Sequence, residues 1–159
     1  MSKRKKYTPK HVNPMAFLIG MRGAMLLGTD DVLSRTAELV ASIDSLSRGD
    51  VDKAVWTPIM RATSMTEMFV RLKLAQGAEV VDSLQTTILA IMERQLDGKI
   101  ALRAAELAEL RGFAEDYSAI LQGVTHQQFF QAEEMMQRRI DAWKRGSKVK
   151  GLETVKAVK

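Results

Sequence analysis

The residues at the start of the chain whose types could do chemistry are cations. Lys3, Arg4, Lys5, Lys6 and Lys10 fall within "MSKRKKYTPK", with Tyr7 among them. Cations on a short arm can neutralise the phosphates of a DNA or RNA backbone, and an interleaved ring can stack on a base. A second set, Lys144, Arg145, Lys148 and Lys150, lies towards the other end, followed by Lys156 and Lys159. The plain alternative is that lysine-rich tails keep the protein soluble or touch an acidic partner.

Other chemistry is thinly represented. With no cysteine in the sequence, disulfides, thiolate metal sites and cysteine nucleophiles are excluded. The two histidines, His11 and His126, are far apart, and neither His-Glu-x-x-His nor a helical Glu-x-x-His occurs. Glycines 20, 23 and 28 lack the Gly-Lys-Ser/Thr ending of a phosphate loop. Glu106 with Glu109, Glu115 with Asp116 and Glu133 with Glu134 could in principle share a proton, but beside so many arginines they read as a solvated helix face. The expectation is a protein that is not an enzyme and holds no metal or cofactor.

Charge is sorted along the chain. Residues 1–11 carry +5 and residues 144–159 carry +5, whereas 12–143 hold 13 basic against 18 acidic residues, a net of −5. The overall pI near 9.6 thus describes two tails around a mildly acidic body. The uncharged apolar run "PMAFLIGM" (14–21) is too short for a bilayer, which takes roughly 20 residues. A basic start before an apolar run is also the layout of a secretory leader. Here Gly20 and Arg22 break the run and no small-x-small site follows, so a cytoplasmic protein that keeps this segment is expected. The segment "GMRGAMLLG" either meets a partner or drapes over the body, burying Met15, Phe17, Leu18 and Ile19; the second is expected.

The body reads as helices. In 29–50, Val32, Leu33, Leu39, Val40, Ile43 and Leu46 recur at three- and four-residue spacing, Thr29 or Asp30 can cap the start, and Gly49 can close the end. Pro58 and the apparent capping box "SMTE" (64–67) divide 51–76 into two short helices meeting near 62–64. A helix-turn-helix with Arg71 and Lys73 on its second helix is conceivable there, although "MTEMFV" lacks base-reading side chains. Val80, Val81, Leu84, Ile88, Ile91, Met92 and Leu96 make a stripe over 78–97. Leu107, Leu110, Ala114, Tyr117 and Leu121 make another over 103–122. A capping box "THQQ" (125–128) opens a last helix to about Lys144, with Phe129, Met136, Ile140 and Trp143 on its stripe. The ten methionines suit core filling more than a partner surface. The fold class expected is all-α: a single antiparallel bundle of five or six helices. It comprises a basic arm and apolar lead-in at 1–28, the bundle at 29–144, and a basic tail at 145–159.

Sparse positions along the chain resemble small proteins encoded by tailed phages and prophages of proteobacteria. "KKYTPKHVNPMA" (5–16) is similar to their Arg/Lys-Lys-Tyr-x-Pro-Lys/Arg-x-Val and Asn-Pro-Met-Ala opening. "LSRGDVDKAVWTPIMRATSMTEMFVRL" (46–72), "ELAELR" (106–111), "ILQGVT" (120–125) and "RRI" (138–140) resemble later parts of the pattern. Val55 stands where that family has an aspartate before the tryptophan, and Tyr117 with Ser118 stands where it often has His-Asp. The resemblance implies a phage-borne protein of the bacterial host cytoplasm and supplies no activity. Two expectations follow. The tails bind nucleic acid in phage DNA metabolism or gene regulation, or the acidic body captures a host protein such as a defence component. A homodimer through a helix face is compatible with either.

Overall fold

The computed structural model describes residues 23–96 and 101–146. They form five helices: α1 (Thr29–Ser47), α2 (Lys53–Arg71), α3 (Ala78–Leu96), α4 (Ala104–Gly123) and α5 (His126–Lys144). Among the described residues there is no strand, only an isolated bridge between Leu26 and Thr125. The all-α bundle follows from single apolar stripes that no one helix can cover alone. α1 packs on α2 and α4, and α3 closes the ring between α2 and α4. α5 packs on α2.

α2 is the centre of the arrangement because it is apolar over a wide arc. Val55, Trp56, Ile59, Ala62, Met65, Met68 and Phe69 are all buried, which lets one helix meet four others. It is a single helix, not the two short ones expected. Ser64 and Glu67 lie in its interior, so they cap nothing and no helix-turn-helix exists here. Pro58 is tolerated in the second turn because the carbonyl one turn back belongs to exposed Ala54, which water can serve. Thr63 and Thr66 hide their hydroxyls by donating to the carbonyls of Ile59 and Ala62, at 2.8 and 2.9 Å.

The ends of the helices follow local chemistry. Gly49 has φ 91°, the left-handed backbone that lets the chain turn out of α1. α5 begins with the reciprocal box expected: Thr125 Oγ1 accepts from Gln128 N at 3.2 Å, and Gln128 Oε1 accepts from Thr125 N at 2.9 Å. Thr125→Ala is expected to cost about 1 kcal/mol, read as a lower urea midpoint with unchanged slope. Leu27 N donates to Val124 O (3.1 Å) and His126 N to Met25 O (2.9 Å), which pins residues 25–27 along the turn between α4 and α5.

Several stripe residues are not in the core. Leu33, Val40, Val80, Leu96, Ile140 and Trp143 are exposed. On α5 only Phe129 and Ala132 are buried, because α2 is the one helix it packs against.

Candidate binding surface

Four of the six residues in the acidic pairs, Glu106, Glu109, Glu133 and Glu134, hold structural partners. Glu106 is buried, against the expectation of a solvated face. Both its oxygens accept from the Arg94 guanidinium, and Oε2 also accepts from Arg103 N at 2.8 Å. The Arg94 hydrogen bonds, opposed by burial and helped by Arg103 N, hold its carboxyl below the usual range. Glu109 accepts from the hydroxyls of Ser83 (2.9 Å) and Thr87 (2.6 Å), tying α4 to α3. Glu133 pairs with Arg61, and Glu134 with Arg138. Among the described residues no group of three His, Asp or Glu is arranged to hold a metal ion.

Tyr117 is a core side chain packed on Phe113 with ring centroids 6.0 Å apart. Burial pushes its hydroxyl up to about 12, so it stays protonated at neutral pH. Ser118 lines a groove of about 600 Å³ between α1 and α4, with Val40, Asp44, Arg111 and Glu115.

The arginines of the body are largely engaged. Arg61, Arg71, Arg94, Arg111, Arg138 and Arg139 each pair with a carboxylate, and Arg35 lies 4.2 Å from the Phe129 ring centroid. Glu67 is the hub of this set, accepting from Arg71 and Arg139 and lying 3.4 Å from Gln85 Nε2. Of the tail cations, Lys144 is the last residue of α5 and Arg145 its C-cap, both exposed. Gly146, at φ 80°, turns the chain off the helix there. Lys144 also sits favourably at the negative end of the helix dipole. Lys3, Arg4, Lys5, Lys6, Tyr7, Lys10, Lys148 and Lys150 lie outside the described residues.

An open groove of about 850 Å³ lies between α2 and α5. Its apolar lining is Trp56, Met60, Phe130, Met136 and Ile140, and Lys53, Arg61, Glu133 and Glu134 also line it. Phe130 is 62 % exposed and Met60 40 %, so the groove is open. Trp56 is fixed at its edge by an Nε1–H donated to Gln95 Oε1 at 3.0 Å. Stripe counting misses this surface because it treats Phe130 as incidental to Phe129. Part of the signal was there: Met136 and Ile140 lie on the same stripe as Phe129, and only Phe130, one residue to its side, was missed.

No helix among the described residues is long and apolar enough to cross a membrane. Comparison with protein-family models, with curated proteins and with solved structures finds no match to this chain.

Proposed function

We propose that this is a non-enzymatic accessory protein of phage type that binds the backbone of DNA or RNA through its basic tails in the host cytoplasm. The bundle serves as the acidic scaffold that carries them. The observation behind the reading is charge segregation: over the described residues up to 143 the body has 11 basic and 17 acidic side chains, and six of its arginines are committed to carboxylates. A body of that kind offers phosphates little, so any phosphate affinity has to come from Lys3, Arg4, Lys5, Lys6, Lys10, Lys144, Arg145, Lys148 and Lys150, with Tyr7 stacking on a base. The resemblance of residues 5–16 to phage proteins supports the setting.

The test is fluorescence anisotropy with duplex DNA, single-stranded DNA and RNA over a salt series. Affinity is expected to fall with salt with a log–log slope of about −0.9 per duplex phosphate neutralised. Changing Lys3, Arg4, Lys5 and Lys6 to alanine together should flatten that slope by roughly 3 to 4. No binding near physiological salt, or an unchanged slope in the variant, sinks the reading.

The α1–α4 groove favours a second reading, in which the body captures a host protein such as a defence component. Exposed Val40 is flanked there by Glu115 and by Asp44, which pairs with Arg111, a small apolar patch with a rim of mixed charge. Such binding would survive neutralisation of both tails and weaken on Val40→Asp.

A further inference from the structure

Among the described helices, α1 to α4 each pack on two or more others, whereas α5 packs on α2 alone. The consequence is apolar surface left in water. Phe130 is 62 % exposed, Met60 across from it on α2 is 40 % and Ile140 is 36 %. Apolar side chains scattered singly over a surface need no explanation, but these three line one groove.

The charges of that groove are sorted between its two walls. The α2 wall carries Lys53 and Arg61 and no acid, and the α5 wall carries Glu133 and Glu134 and no cation. Arg61 and Glu133 pair across it at 2.5 Å. Arg61 is half exposed and Glu134 more so, which leaves both open to a further partner. A partner surface of one sign would match one wall and be repelled by the other. The surface that matches both walls is the groove itself, turned over.

We propose that a second copy of this chain covers the α2–α5 groove, in an isologous pair whose two-fold axis runs along the groove. That axis lays the α2 wall of each copy on the α5 wall of the other. Lys53 and Arg61 then face the partner's Glu133 and Glu134, and the same contact recurs across the axis. Met60, Phe130 and Ile140 of both copies are covered between these rims. The two Arg61–Glu133 pairs lie antiparallel, so each cation gains a second carboxylate, and α5 gains a second helical neighbour. The size of the patch sets how firmly the pair holds. The stretches bordering the groove, 53–64 and 130–140, are each on the order of 16 Å long. Two helices wide, such a patch offers on the order of 500 Å² per copy, below the roughly 800 Å² of a standard stable interface. The pair therefore forms at high concentration and dissociates on dilution.

Sedimentation velocity of the full chain, from low micromolar to near-millimolar concentration, reads the pair as a mass rising from 17.8 kDa towards twice that value. Met60→Asp with Phe130→Asp should weaken association by about tenfold or more. Both side chains are exposed, so the helical circular-dichroism signal should be unchanged. The charge test is independent of that variant. Lys53→Glu with Arg61→Glu makes both walls acidic, and Glu133→Lys with Glu134→Lys makes both basic. Each reversed chain alone should stay monomeric across the series, and an equimolar mixture should form a one-to-one pair tighter than the parent's. A parent chain that remains at 17.8 kDa throughout overturns the proposal and leaves the groove to a different occupant. A dimer that persists in the Met60→Asp, Phe130→Asp chain overturns it too, by placing self-association on another face. Helical reversed chains that dimerise alone, or that fail to pair when mixed, overturn the two-fold arrangement. No nucleic acid enters these measurements, so their outcome is separate from that of the binding assay.

Discussion

Phe69→Ala is expected to destabilise the protein by about 3–5 kcal/mol, a large share of the roughly 5–15 kcal/mol that holds a domain together. Phe69 is fully buried near the end of α2, and its ring centroid is 6.3 Å from that of Phe129 on α5. Neighbours on two helices would have to move inward to fill the space, and α2 cannot shift towards one partner without leaving another. The residual cavity therefore persists, which puts the cost at the high end for a ring removal. Leu33→Ala provides the contrast. Leu33 belongs to the same kind of sequence stripe but is 60 % exposed, so its replacement should change stability by no more than about half a kcal/mol. Urea unfolding of both variants separates the cases by midpoint. Similar losses for the two would mean that α2 is not the packing centre described here.

Phe69 and Leu33 also show what a sequence read by periodicity can and cannot locate. Three- and four-residue spacing marks an apolar face, and for α1, α3 and α4 it marks Leu39, Ile43, Leu84, Ile88, Leu110 and Leu121, all of them buried. It does not say how wide the covered arc is. α1 has neighbours on two sides and still leaves Leu33 and Val40 to solvent, while α5, with α2 alone beneath it, leaves Phe130, Ile140 and Trp143 out. The Ser64–Glu67 pair misleads for a related reason. A serine followed three residues later by glutamate caps a helix only if the serine backbone is extended. Inside α2 the same spacing simply sets two side chains one turn apart. Nothing local to "SMTE" distinguishes the cases; the buried residues on either side of it, Ala62, Thr63, Met65 and Thr66, do. The α2–α5 groove is less legible still, since it depends on which helix α5 chooses to cross.

The glutamate read as a helix cap proves to be the hub joining α2, α3 and α5, and its removal is the second large effect expected. Glu67→Ala should cost about 2–3 kcal/mol: breaking a buried pair costs more, but the outer arginine here is half exposed and can turn to water. Glu67 Oε1 accepts from Arg71 Nη2 at 2.7 Å and Oε2 from Arg139 Nη1 at 2.6 Å. Arg71 is the half-exposed partner, whereas the Arg139 side chain keeps only 14 % of its exposure. The inner partner therefore carries most of the penalty when the carboxylate goes. The same geometry fixes a pH dependence. Burial alone would push the Glu67 carboxyl up, but the hydrogen bonds and charges of Arg139 and Arg71 outweigh it and hold the group below its ordinary 4.5. Glu106 is held below 4.5 as well, chiefly by Arg94. A carboxyl depressed in the folded state adds stability above its unfolded value and loses it as pH falls through the folded one. The urea midpoint should thus be level with respect to these two groups from pH 7 to about 5 and drop below about 4.5. In Glu67→Gln the midpoint should start lower at pH 7 and fall less on acidification, because one of the two titrating carboxylates is gone. A fall as steep as in the parent protein would mean that Glu67 is not among the groups whose protonation loosens the bundle, leaving Glu106 to account for the acid limb.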